Sequence, residues 1–200
     1  RLTERLREAG YRNELLVMQS SGGVMTRAYV GDSPVRVLAS GPAGGVIGGA
    51  HIGVTKGAPD LLCIDMGGTS YDVSLIRDGK PTVTTDYWVS RYRVAAPMLD
   101  IHTIGAGGGS IAWVDDGGAL QVGPRSAGAA PGPACYGRGG AEPTVTDANR
   151  VLGYLDADNF LGGEMKLDAD AARKTIDEKV GAPLGLDTVR AANGIFRIVN

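Results

Sequence analysis

Residues 61–76 read LLCIDMGGTSYDVSLI, and this stretch restricts the possible fold more than any other part of the chain. Its four leading apolar residues, Leu61, Leu62, Cys63 and Ile64, form a run of strand length. An aspartate ends the run, two glycines and a threonine follow, and a second strand is expected over 71–76. Glycines in such a bend let neighbouring backbone N–H groups converge on one point, which is how loops hold phosphate oxygens. In this reading Gly67 and Gly68 shape the bend and the Thr69 hydroxyl adds a hydrogen bond. Asp65, at the strand end, holds a magnesium ion through water, and Asp72 is a candidate for the same task. The same residues also read as a tight hairpin with a capping aspartate.

Glycine matters elsewhere too, since 32 of the 200 residues are glycine, about twice the usual share. They follow no Gly-X-Y period and lie in no Ser- or Gln-rich tract, which argues against collagen and disorder. They cluster, as loops do where backbone approaches something closely. The second cluster, 105–110, ends an expected strand over 100–104, and Gly107, Gly108 and Gly109 are candidate ligand-facing positions. Ser110 stands where the last glycine of GxGxxG belongs, and no GxxxxGK[ST] occurs, so dinucleotide and P-loop sites of those types are excluded.

Asp100 and His102 share one face of that strand and form a candidate catalytic pair or metal ligands. Asp147, with Arg125 and Arg138, flanks a long Gly/Pro/Ala loop over 123–143 and is a third catalytic candidate. Cys135, inside that loop, has no base placed beside it and reads as a buried apolar thiol. Twenty basic against 22 acidic residues give a net charge of −2, too small to draw the chain to nucleic acid or an anionic membrane. No apolar stretch approaches the roughly 18 residues of a membrane span. Two distant cysteines indicate neither a zinc site nor a disulfide framework, and a cytoplasmic setting is expected.

The rest of the pattern is mixed α/β. A helix on Leu2, Leu6 and Ala9 ends at Gly10, and a buried strand is expected over 14–19. Helices follow over 34–38 and 41–54, the second rich in small residues. A third strand is expected over 82–89, joined to the one before it by a hairpin at Asp78-Gly79. Another hairpin spans 111–122 around Asp116-Gly117-Gly118. Thr144 or Thr146 caps the next helix; Asp168 caps one on Ala172, Ile176 and Val180 that Gly181 ends. A last helical face, Leu186, Val189, Ala192, Phe196 and Val199, runs to the end. One compact body is expected, and uncapped helical patterns at both ends read as an internal piece of a longer protein.

Six ordered motifs carry a resemblance: MQSSGGVM from Met18, SGPAGGVIGGA from Ser40, IDMGGTSYDVSLI from Ile64, IGAGGGSIAWVD from Ile104, GPRSAGAAPGPACYGRGG from Gly123 and PTVTDANRVLG from Pro143. Across nearly its whole length the chain resembles the A-type subunits of the hydantoinase/oxoprolinase family, whose relatives include ATP-dependent hydantoinases, 5-oxoprolinases and the acetone and acetophenone carboxylases. The resemblance implies an α/β, actin-like (ASKHA, ribonuclease H-like) ATPase fold, with a mixed sheet, β-hairpins and packed helices. Residues 1–200 would be mainly the second of two actin-like subdomains. Asp65, Gly67, Gly68 and Thr69 would be its phosphate loop, with ATP and Mg2+ as cofactors and Gly107, Gly108 and Gly109 facing the nucleotide. The implied activity is ATP-dependent opening of a cyclic amide, alongside a B-type partner subunit. A ketone carboxylase and a non-catalytic actin-like scaffold are the other readings.

Overall fold

A computed structural model describes residues 1–89 and 91–200. The chain divides into two compact units where the sequence suggested one: residues 1–65 with 72–102, and 66–71 with 103–200.

The first unit opens with α1 (Leu2–Glu8), followed by β1 (Leu16–Met18), β2 (Val24–Thr26) and α2 (Arg27–Asp32). The strand expected over 14–19 is shorter and less buried than its apolar run implied. It forms an antiparallel hairpin with β2, and Leu16 stays 54% exposed. A 3-10 turn at Pro34–Val37 leads to α3 (Ser40–Thr55), the helix of small residues. Packing requires glycine at Gly53, where a Cβ would stand 2.7 Å from the Ala58 carbonyl oxygen and against Leu61. Ala43, Val46 and Ala50 of this helix bury together with Ile76, Leu99 and Ile101 to make the unit's core.

β3 (Leu61–Met66) and β4 (Tyr71–Arg77) are neighbours in one sheet, with β5 (Lys80–Pro81) also on β4. The expected hairpin is present: Asp78 and Gly79 both take positive φ, 50° and 71°, between the pairs Arg77–Lys80 and Ile76–Pro81. That conformation gives a two-residue turn the twist of its strands. The single strand expected over 82–89 is instead two, β6 (Val83–Thr84) and β7 (Tyr87–Val89). Thr84 turns its hydroxyl back to accept from the Asp86 N–H at 3.0 Å, a local bond that competes with the ladder. β7 pairs with β8 (Tyr92–Val94), and β6 with β9 (Met98–Leu99). Trp88 on β7 is 57% exposed.

β10 (His102–Ile104) carries the chain out of this unit. In the second unit β11 (Ser110–Val114) and β12 (Leu120–Ser126) form the expected hairpin, with Asp115 accepting from the Gly117 and Ala119 N–H groups in the turn. α4 (Val145–Val151) is capped by Thr144, and α5 (Ala169–Ile176) by Asp168. Gly181 does not end that helix. It sits in a widened turn, Asp177–Gly181, which runs on into α6 (Ala182–Leu184), and Gly185 at φ 64° makes the stop. Glycine is needed at 181 for space, since a Cβ there would lie 2.9 Å from the Leu186 carbonyl oxygen. α7 (Thr188–Val199) closes the unit. Ala191, Ala192 and Ile195 from α7 bury against Ala148, Ile176 and Val180. Among the described residues no helix is long and apolar enough to cross a membrane.

Candidate functional site

The bend 66–70 belongs to the second unit, and its setting there is built almost wholly from backbone. Gly67 N–H donates to the Ser70 carbonyl at 2.9 Å and closes the turn. Gly67 and Thr69 are exposed. Among the described residues no backbone acceptor is found for the N–H groups of Gly68, Thr69 and Ser70. Unengaged neighbouring amides in an exposed glycine turn are what an anion needs.

The bend rests on the segment 105–110. Gly108 N–H donates to the Gly67 carbonyl at 3.0 Å, and Gly109 N–H to the Gly68 carbonyl at 2.7 Å. Gly107 N–H is taken by the Ser110 hydroxyl at 2.9 Å. All three amides are therefore engaged within the protein, and what this segment offers a ligand is its shape. A side chain would not fit between the layers: a Cβ on Gly107 would lie 2.6 Å from the Gly67 oxygen and 2.8 Å from both the Thr69 and Ser70 nitrogens. Ser126 adds a second brace, its hydroxyl donating to the Gly68 carbonyl at 3.0 Å and accepting from the Thr69 hydroxyl at 3.3 Å.

Behind the glycines stands the start of α4. Thr146 donates to the Gly108 carbonyl twice, from its backbone at 2.9 Å and its hydroxyl at 2.8 Å. Asp147, expected as a catalytic candidate, is fully buried and engaged as structure. Its carboxylate accepts from the backbone N–H of Cys135, Thr144 and Ala134 at 2.8, 2.9 and 3.2 Å, and from the Thr144 hydroxyl at 2.7 Å. It closes a capping box on α4 and pins the loop 123–143 to that helix. Such a carboxylate has no face left for substrate, which corrects the catalytic expectation. Cys135 is fully buried as expected, and burial, with Asp147 close by, holds its thiol far above the ordinary range and protonated.

The bend, the glycine segment and α4 enclose a cavity of about 400 Å3, within the range of small-molecule sites. Gly67, Gly68, Gly108 and Gly109 contribute backbone; Tyr136, Leu155, Phe160 and Met165 contribute apolar surface. Tyr136 and Phe160 pack ring against ring at 5.6 Å, and burial pushes the Tyr136 phenol above its usual value. Thr146, Asn149 and Arg138 supply the polar wall.

The remaining candidates lie in the first unit. Asp65 and Asp72 line one small hollow of about 170 Å3 with Cys63 and Ser74. Asp100 and His102 meet at 3.6 Å, with the histidine side chain 81% exposed, a loose surface pair. Among the described residues no three His, Cys, Asp or Glu side chains gather into a metal-binding group. Sequence reasoning did not pick out Ser126 or Asn149. Asn149 lies three residues beyond Thr146, hence on the same helical face, and that spacing was the available signal.

A family model described as Hydantoinase/oxoprolinase matches residues 1–200. The caprolactamase subunit alpha of Pseudomonas jessenii is 46% identical over 193 residues, 96% of this chain and 28% of that protein. A crystal structure of ATP-dependent caprolactamase from Pseudomonas jessenii matches with a TM-score of 0.76 at 44% identity, over 99% of this chain and 29% of that one. A nucleotide-free structure of acetone carboxylase, an enzyme of ATP-dependent acetone carboxylation, matches with a TM-score of 0.82 at 35% identity, over 98% and 28%. Both structural likenesses bear out the mixed α/β, actin-like ATPase fold. The chain spans under a third of the length of the relatives it matches.

Proposed function

The chain belongs to the hydantoinase/oxoprolinase family, and from that premise we propose that it is part of an ATP-dependent subunit that opens cyclic amides. Its share of the work is to hold nucleotide phosphates at the bend 66–70. The observation that carries this reading is the bend itself: exposed at Gly67 and Thr69, half-buried at Gly68 and Ser70, braced from beneath by Gly108 and Gly109, and with the amides of Gly68, Thr69 and Ser70 unengaged by backbone.

An unstrained amide carbonyl is a poor electrophile, and phosphorylation changes that. The carbonyl oxygen attacks the terminal phosphorus of ATP, the P–O bond to ADP breaks, and a phosphate ester of the amide forms. Water adds at the activated carbon, the C–N bond opens as the ring nitrogen takes up a proton, and a second water cleaves the resulting acyl phosphate into carboxylate and inorganic phosphate. In this scheme the bend's N–H groups hold the negative charge of the phosphoryl oxygens in place, preorganised before reaction, and the Thr69 hydroxyl joins them by turning its proton from Ser126 to the phosphate. Gly107, Gly108 and Gly109 keep the bend in register by admitting it without a side chain between.

Asp65 is exposed at the end of β3 and lines one hollow with Asp72, which suits a cation held by one or two carboxylates with water and phosphate. Asp65 would hold magnesium through water, with Asp72 beside it in the same hollow, and the ion would offset charge on the transferring phosphoryl group. A B-type partner subunit and a cytoplasmic setting complete the proposal.

The test is stoichiometry in the full-length protein with its partner subunits. One ADP released per lactam opened is the expected result; ring-opening without ATP would refute the reading. The likeness to an acetone carboxylase structure supports a second reading, a carboxylase acting on a ketone and bicarbonate. Bicarbonate-dependent ADP release with a ketone, and none with any lactam, would select it.

A further inference from the structure

Asn149 stands on α4 three residues beyond Thr146, and both line the 400 Å3 cavity that the bend's Gly67 and Gly68 also line. Its backbone is fixed, since its carbonyl accepts from the N–H groups of Tyr154 and Leu155 at 2.9 and 3.3 Å. Its side chain is not. The carboxamide oxygen is buried with no hydrogen-bond donor facing it, one of three such side-chain atoms among the described residues. A buried polar atom without a partner is costly, and in a native protein it calls for an explanation. The terminal torsion of asparagine is broad and soft, so rotation about it brings the carboxamide oxygen to the cavity at little cost. Leu155, Phe160 and Met165 of the cavity wall offer it no donor, and low polarity beside them strengthens any hydrogen bond made there.

Resting on the function proposed above, the geometry points to Asn149 as the residue that reads the N–H group of the cyclic amide substrate in this cavity. The substrate class it selects is a lactam with an unsubstituted ring nitrogen. A lactam presents a donor N–H and an acceptor C=O on the same edge. Asn149 lacks a donor to its oxygen, and the ring N–H supplies one, while the ring's methylenes fit the apolar wall and its carbonyl is left for phosphoryl transfer. A ketone has no such donor and would leave the Asn149 oxygen unpaired. Asn149 is thus a specificity-determining residue that separates amide from ketone substrates, and it takes no part in moving a proton.

The experiment uses the full-length protein with its partner subunits, a five- to seven-membered lactam and its N-methyl derivative. The wild type is expected to prefer the N–H lactam by about tenfold or more in kcat/KM. In Asn149→Leu the KM for the N–H lactam rises about tenfold, the preference disappears, and the KM for ATP stays unchanged. Asn149→Asp keeps an acceptor oxygen and keeps the preference; because the ratio is taken within one variant, any common effect on rate cancels. An unchanged preference in Asn149→Leu overturns the inference, as does a rise in the KM for ATP alone, which would put the nucleoside in this cavity. Should the wild type open no lactam with release of ADP, it is the proposed function that falls, and this inference falls with it.

Discussion

Replacing Gly107 by alanine crowds the bend from beneath and displaces the backbone proposed to meet ATP, while removing none of its N–H groups. The added Cβ would stand 2.6 Å from the Gly67 oxygen and 2.8 Å from the Thr69 and Ser70 nitrogens. All three are backbone atoms and cannot swing aside as a side-chain tip would. Restoring an ordinary contact at about 3.4 Å moves the bend by roughly 0.6–0.8 Å, the difference between those distances. Overpacking of this kind costs about 1–3 kcal/mol, which a folded domain survives. A displacement near 1 Å at a site that positions reactants costs about 100-fold in rate. Steady-state ATP turnover in the full-length protein is therefore expected to fall about 100-fold, with the melting temperature lowered by only several degrees. Gly105→Ala is the control, because nothing lies within 4 Å of a Cβ there, and it should leave turnover unchanged. Turnover of Gly107→Ala within twofold of wild type would refute the reasoning.

Asp147→Ala strands the N–H groups of Ala134, Cys135 and Thr144; at a little over 1 kcal/mol each, the loss is about 3–5 kcal/mol, read as a shift in denaturant midpoint, and a loss under 1 kcal/mol would contradict the role assigned to this residue. Cys135 should resist alkylation in the native protein and react once unfolded, since burial holds the thiol protonated. Its raised folded value has a sign: the stability it contributes is complete below the ordinary thiol value of 9.0 and is lost as pH climbs above it, because only the unfolded chain then ionises. Cys135→Ala should flatten that alkaline decline. Asp65→Ala should lower magnesium-dependent ATP hydrolysis at least tenfold in the full-length protein, while unchanged hydrolysis would favour a non-catalytic actin-like scaffold.

The strand–bend–strand at 61–76 was legible because an apolar run, a glycine pair and a second strand each have their own signature. The glycines at 107–109 were legible as a place of close approach, but not as a brace: sequence shows that a Cβ is absent, not which way the amides point. Asp147 was read as a loop-flanking candidate because the usual capping box has Glu or Gln three residues after its threonine. Aspartate is shorter, and its reach to Ala134 and Cys135 depends on the loop folding back 12 or 13 residues. The division into two units left no trace in composition. The chain crosses between them after residues 65, 71 and 102, inside or beside strands, with no Pro- or Ser-rich linker to mark the crossing. Asn149 was hidden for a related reason, since an unpaired side-chain oxygen exists only once the surrounding loop has closed over it.

The most direct measurement is a crystal structure of the full-length protein with magnesium and a non-hydrolysable ATP analogue. Phosphate oxygens should lie within about 2.7–3.2 Å of the backbone nitrogens of Gly68, Thr69 or Ser70, with Gly107 closely packed beneath. Polyphosphate bound elsewhere, with those three amides facing only solvent, would contradict the account.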